Sequence, residues 1–160
     1  LDMPNNDSLF ENIYSAFLSA VEKYRLVEAG DRVAVCVSGG KDSMLASLFF
    51  KRYAAENPNV TVRYICMDPG YNAENRKMIE SNAEKLGIPL DIFETQIFDS
   101  VVRIEKSPCY LCARMRRGWL YRKAKEAGCN KIALGHHFDD VTETVLMSTL
   151  YSVSDNASRY

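Results

Sequence analysis

The sequence predicts an α/β fold, an open, mostly parallel twisted sheet with helices on both faces. Short β-branched runs alternate with segments of helical periodicity along almost the whole chain. The first such run passes through a glycine-containing turn directly into a helix, and the same strand, turn, helix unit then recurs. In such a sheet ligands collect beyond the carboxyl ends of the strands, so sites are expected just after Val37, Met67 and Leu134.

Between Leu9 and Val27 apolar residues recur at helical spacing (Phe10, Ile13, Tyr14, Phe17, Leu18, Val21), and Gly30 stands where that helix would stop. Residues 1–30 therefore read as an N-terminal helical lead-in. Arg32 to Val37 is a strand, SGGKDS (Ser38 to Ser43) a tight turn, and Met44 to Ala55 a helix. Val60 to Met67 is the second strand, followed by a turn at Asp68, Pro69 and Gly70 and a helix through Met78, Ile79, Ala83 and Leu86 that ends at Gly87. Ile88 to Phe93 is the third strand. A polar connector and a cysteine segment lead to a helix around Trp119 to Ala127, the strand Lys131 to Leu134, and a last helix from Asp140 to Leu150. The polar stretch from Ser152 to Tyr160 reads as a frayed tail or as a junction with further residues.

At 160 residues the chain suits one domain, residues 1–160. Its 47% apolar and 26% charged residues are those of an ordinary soluble protein. No apolar run approaches membrane-span length and no basic-then-apolar leader opens the chain, so the expectation is a cytoplasmic protein with no membrane partner. Five cysteines in such a chain point to metal, redox or buried thiols instead of a disulfide framework. A net charge of -1 gives no global nucleic-acid signature, so any RNA affinity must come from a local patch.

Ser38, Gly39, Gly40, Lys41, Asp42 and Ser43 have the makings of a polyanion cradle. Glycines allow close backbone approach, the helix N-terminus and its N–H groups favour phosphate oxygens, Lys41 neutralises charge, and Ser38 and Ser43 can donate hydroxyl hydrogen bonds. Asp42 either orients the loop or helps hold Mg2+. The plainer alternative is a turn whose glycines serve geometry only. The spacing is not that of a Walker A loop, which needs four residues between two glycines before its lysine.

A second constellation, Gly135, His136, His137, Phe138, Asp139 and Asp140, follows the strand KIALG and belongs to the same sheet edge. Metal ligation by the histidines and helix capping by the carboxylates are both open readings. At the end of the second strand, Asp68 is a polar residue in a ligand-facing position, and Met67 reads either as a contact or as core.

Cys109 and Cys112, in CYLC after Pro108, are spaced for one metal or cluster; half a zinc knuckle, a redox dithiol and half an Fe–S site all fit. Cys36, Cys66 and Cys129 lie among apolar neighbours as buried fillers. Arg103 to Lys125 carries eight basic residues, among them Arg114, Arg116, Arg117, Arg122, Lys123 and Lys125, against the single acid Glu105. With Tyr110, Trp119 and Tyr121 interleaved, this stripe is suited to RNA phosphates and unstacked bases. A solvated helix face with Trp119 and Leu120 in the core is the alternative.

SGGKDS after VAVCV resembles the signature of the PP-loop ATP pyrophosphatases. That resemblance implies an adenine nucleotide α-hydrolase-like fold and cleavage of ATP between its α- and β-phosphates, with the loop holding the departing pyrophosphate and the acceptor oxygen adenylylated. The run CYLCARMRRGWLYRKAKEAGCNKIALGHHFDD is similar to that of the tRNA 2-thiocytidine synthetase type of thiolase, in which a CxxC pair and an RRG-containing helix lead into GHHxDD. By that resemblance the catalytic residues are Cys109, Cys112, Lys41 and Asp42. Nucleotide contacts are implied for Ser38 to Ser43, Met67, Asp68, Gly135 and His136, with His137 second to His136, and Mg2+ for Asp139 and Asp140. The implied partners are tRNA, through an anticodon-loop cytidine, a sulfur donor such as a cysteine desulfurase, and a second copy in a homodimer.

In that family a third cysteine toward the C-terminus completes the ligands of a 4Fe-4S cluster. Here no cysteine follows Cys129, and further C-terminal residues are the expected explanation. Two rivals stay in view: a sulfur-free PP-loop tRNA ligase such as a lysidine synthetase, and a non-catalytic nucleotide- or RNA-binding module.

Overall fold

A computed structural model of the chain describes residues 6–68, 70, 72–95, 108–134 and 150–152. At its centre β1 (Arg32–Cys36) pairs in parallel with β2 (Thr61–Asp68) on one side and β4 (Lys131–Leu134) on the other. β3 (Leu90–Glu94) extends the parallel sheet from β2, and β5 (Leu150–Ser152) adds an antiparallel edge to β4. The strand order is β3-β2-β1-β4-β5, the mostly parallel α/β sheet that the sequence predicts. The helices are α1 (Asn6–Lys23), α2 (Lys41–Glu56), α3 (Ala73–Lys85) and α4 (Pro108–Glu126). None of them, among the described residues, is long and apolar enough to cross a membrane.

The pleat of β1 divides the interior in two. Val33, Val35 and Val37 enter a core built with Tyr14, Phe17, Phe49, Phe50 and Ile79 from α1, α2 and α3. Ala34 and Cys36 point the other way, into a core of Ile65, Met67, Leu120, Ala124, Ile132 and Leu134 roofed by α4. Each fully buried valine or isoleucine here contributes roughly 1.5–3 kcal/mol of transfer free energy. α1 is fastened to α2 by rings, with Phe17 and Phe50 centroids 5.2 Å apart edge to face and Phe10 and Phe49 also 5.2 Å apart.

Several boundaries depart from the sequence expectation. α1 ends at Lys23, well short of Gly30, because Arg25 adopts a left-handed conformation (φ 49°). The N–H groups of Arg25 and Leu26 then return to Glu22 and Val21 at 3.2 and 3.0 Å, a Schellman closure reached without glycine. Gly87 and Gly128 close α3 and α4 in the same way, as their positions suggest.

The helix expected around Trp119 begins eleven residues earlier by its boundaries, at Pro108, and so carries the cysteine pair in its opening turns. Proline is tolerated at a first helical position, and the run from Leu111 to Glu126 is rich in helix formers. Gly118 interrupts that run without breaking it, and a methyl group there would meet nothing within 4 Å. The last predicted helix, from Asp140, falls on residues 140–149, outside the described residues; Leu150 itself opens β5. Periodicity does not separate helix from strand in so short an apolar run.

At the amino edge of the sheet, Asp31 ties three segments together. Its carboxylate meets Lys131 Nζ at 2.6 Å and accepts from Asn130 Nδ2 at 2.9 Å and the Glu28 N–H at 2.8 Å. Burial pushes the carboxyl up, but these hydrogen bonds and the Lys131 charge outweigh it and hold the group below the ordinary carboxylate value. A lowered folded value stabilises the fold at pH above the unfolded value, about 4, and the contribution is lost as pH falls through the folded one.

Acid titration of the unfolding free energy should therefore show a smaller loss below about pH 4 in Asp31→Asn than in the wild type; equal slopes would remove Asp31 from the account. In urea melts, Gly118→Ala should gain about 0.5–1 kcal/mol, and a loss would mean that the glycine serves a backbone approach.

Candidate active site

β1 delivers the chain to its carboxyl edge at Val37, whose N–H still bonds the Ile65 carbonyl at 2.8 Å, and the next residues turn sharply into α2. Gly39 takes φ +86°, open to glycine at little cost, and lies directly on α3: a Cβ there would sit 2.7 Å from Ile79 Cγ1. Gly40 is different. It caps α2 at φ -73°, ψ 157°, and a Cβ would meet nothing nearer than Ser38 Oγ at 3.6 Å. Gly40 supplies no side-chain cap, so the opening N–H groups of α2 have no acceptor from their cap residue. A helix start in this condition favours an anion.

Ser43 organises the turn. Its hydroxyl donates to the Gly40 carbonyl at 2.9 Å and accepts from the Ser38 N–H at 3.1 Å, and it is 1% exposed. Ser47 extends the brace by donating to the Ser43 carbonyl at 2.8 Å. The proton of Ser43 is thus committed within the loop, a bracing role beside the phosphate contact inferred from sequence, and the part played by Ser47 was missed. An ST-type bond four residues back along a helix was the available signal. Ser38 and Lys41 are exposed at the rim, with Asp42 half-buried behind them.

The end of β2 lies beside this loop because β1 and β2 are hydrogen-bonded neighbours running in one direction. Met67 is 6% exposed and its side chain belongs to the core on the α4 side, so only its main chain is available to a ligand. Asp68 is buried; its Oδ1 accepts the Gly70 N–H at 2.9 Å and its Oδ2 lies 3.4 Å from Arg76 NH1.

α4 leads into β4 through four residues and runs back along the sheet, so its N-terminus lies toward the carboxyl edge. At 1.5 Å per residue the helix is about 28 Å long, more than twice the length of β4 at about 13 Å, and its first turns are directed toward that edge. Cys109 and Cys112 are three residues apart on those turns, on one side of the helix. Their side chains, that of Arg114, and the whole of Gly135, His136, His137, Asp139 and Asp140 lie outside the described residues.

The other cysteines are buried, as their apolar neighbours predict. Cys36, Cys66 and Cys129 are 7%, 0% and 4% exposed, and burial raises all three thiols, Cys66 to about 11. Among the described residues no group of three His, Cys, Asp or Glu is arranged to hold a metal. The Cys109 and Cys112 donor set fits half of a thiolate-held cluster, which needs at least one more ligand from elsewhere.

The basic stripe divides along α4. Arg117, Arg122 and Lys125 are exposed. Lys123 is folded back, its Nζ 5.2 Å from the Phe93 ring, 5.6 Å from Trp119 and 3.1 Å from Glu126. Arg116 is half-buried, with Nε out of water. Trp119 packs on Phe93 at 5.9 Å and Leu120 is in the core. Charge counting could not make this division; the spacing of Leu120 and Ala124 marks the inner face, which Arg116 and Lys123 share.

Substitution should separate the two loop glycines. Gly39→Ala forces a left-handed alanine against Ile79 and should cost about 1–2 kcal/mol in urea melts together with most pyrophosphate affinity. Gly40→Ala should leave the melt unchanged and weaken pyrophosphate alone, because only a ligand would occupy the space its methyl takes; unchanged affinity there would contradict the cradle.

The comparisons with known proteins agree with this fold. The family described as the PP-loop domain matches residues 10–154. The tRNA-cytidine(32) 2-sulfurtransferase of Neisseria meningitidis serogroup A is 37% identical over 153 residues, covering 91% of this chain and 47% of that protein. Its counterpart in Anaeromyxobacter dehalogenans is 37% identical over 148 residues, 90% of this chain and 51% of that one. The chain thus spans about half the length of the curated relatives it matches. Among solved structures, the U34-tRNA thiolase NcsA from Methanococcus maripaludis, determined with its 4Fe-4S cluster, superposes with a TM-score of 0.68 at 26% identity over 89% of this chain and 50% of that chain. The NH3-dependent NAD synthetase of Campylobacter jejuni shares the fold alone, at a TM-score of 0.59 and 20% identity over 80% of this chain and 57% of that chain. With a glycine turn braced by Ser43 at the carboxyl edge of a parallel sheet, and a match running from residue 10 to residue 154, the chain belongs to the PP-loop domain family.

Proposed function

We propose that residues 1–160 are the ATP-binding catalytic domain of a tRNA thiolase that adenylylates the C2 carbonyl of an anticodon-loop cytidine and replaces its oxygen with sulfur. The observation that supports the reading is the Ser43-braced turn of Ser38 to Ser43 at the carboxyl edge of a parallel sheet, in a chain whose helix α4 opens on the cysteine pair. The names of the relatives, tRNA-cytidine(32) 2-sulfurtransferases, support the choice of base.

On this reading the opening N–H groups of α2 and the Lys41 ammonium hold the phosphates, and the main chain at Met67 and Asp68 contacts the nucleoside. Mg2+ beside the phosphates neutralises charge, with Asp42, Asp139 and Asp140 as its oxygen ligands and His136, then His137, against phosphate or substrate near Gly135. The cytidine carbonyl oxygen attacks the α-phosphorus, the bond to the β-phosphate oxygen breaks, and pyrophosphate stays in the loop until it is released. A sulfur nucleophile then adds at C2, the carbon–oxygen bond breaks, and AMP leaves. A 4Fe-4S cluster held by Cys109, Cys112 and a ligand from beyond this chain supplies that sulfur when bound. Arg117 and Arg122, with Lys125, grip RNA phosphates from the open face of α4, and Arg114, Arg116 and Lys123 lie along the same helix. A cysteine desulfurase feeds the site, the working form is a homodimer, and the reaction belongs to the cytoplasm, where tRNA is modified.

Full-length protein purified without oxygen should contain iron and acid-labile sulfide, and both should be lost in Cys109→Ser and Cys112→Ser together with tRNA thiolation, while ATP binding persists. Cysteine-independent AMP formation on tRNA would instead identify a sulfur-free ligase, and no AMP formation at all a binding module.

A further inference from the structure

Helix α3 touches both halves of the candidate nucleotide site. Ile79 lies under Gly39 of the phosphate turn, and three residues earlier, on the same side of the helix, Arg76 reaches the end of β2. Arg76 NH1 is 3.4 Å from Asp68 Oδ2 and 2.5 Å from Glu94 Oε1, and its Nε is 3.3 Å from Glu80 Oε1. One guanidinium thus joins the ends of β2 and β3 to α3.

Asp68 is what this arrangement holds. Its side chain is 5% exposed, its Oδ1 accepts the Gly70 N–H at 2.9 Å, and its main-chain oxygen accepts the Thr95 N–H at 2.9 Å. A carboxylate leaves water at tolerable cost only where hydrogen bonds or a cation replace its hydration. Asp68 is therefore engaged in shaping the strand end, and the guanidinium that reaches it comes from α3.

We propose that Arg76 is a positioning residue for nucleoside recognition. Acting through Asp68, it sets the main chain at the end of β2 against the nucleoside, while the phosphates are held independently by Ser38 to Ser43. This rests on the reading of that edge as the ATP site. It assigns α3 a spacer role, with Ile79 setting the phosphate end and Arg76 the nucleoside end.

The test is calorimetric binding of Mg-ATP and of magnesium pyrophosphate to full-length wild type, Arg76→Met and Arg76→Lys. Arg76→Met should weaken ATP about tenfold and leave pyrophosphate unchanged. Arg76→Lys keeps the charge without the planar fork and should recover part of the loss. In turnover, the KM for ATP should rise with kcat retained. ATP affinity equal to wild type in Arg76→Met, or equal loss of both ligands, would overturn the proposal, the second outcome marking a purely structural role. Wild type that binds neither ligand would overturn the nucleotide-site reading itself.

Discussion

Strand β1 is paired along both edges and buried on both faces, and the rest of the molecule is arranged around that double confinement. Its neighbours β2 and β4 must run parallel to it, so connections between them cross a face of the sheet as helices. The alternation Val33, Ala34, Val35, Cys36, Val37 feeds one core and then the other. The larger valine side faces three helices, and the smaller Ala34 and Cys36 side admits the close approach of α4. Because β1 emerges between two strands of the same direction, its following turn opens where several strand ends converge, and a ligand there is reached by more than one element.

The turn is held from two directions. Below, Gly39 lies on Ile79 without a side chain to separate them; within, the Ser43 hydroxyl closes onto Gly40 and Ser38. Neither contact uses the N–H groups that open α2. Structural demands are thus met by Gly39, Ser43 and Ser47, while Gly40 and Lys41 are exposed at the rim of the turn. This division of labour within one short motif connects the packing of α3 to the affinity of the loop.

Helix α4 makes the corresponding link for the cysteine pair. Leu120 and Ala124 anchor it to the sheet, the Gly128 turn passes it to β4, and the cysteine pair lies at its opposite end. The same inner face draws Lys123 across Phe93 and Trp119 and takes Arg116 partly out of water. Positive charge on the outer face is correspondingly concentrated in Arg117, Arg122 and Lys125.

What the sequence by itself determined was the order of strands and helices from α1 to β4, the SGGKDS turn at a strand end, and the burial of Cys36, Cys66 and Cys129. These follow from local periodicity and from apolar neighbours, which a linear reading contains. The tertiary structure alone decided that Arg25 ends α1, that the cysteine pair begins a helix, that Leu150 joins a strand, that Ser43, Asp68 and Lys123 are engaged by their surroundings, and that Arg116 is half-buried. Each of those depends on a partner distant in the chain or on a conformation the residue type does not favour, and composition carries neither.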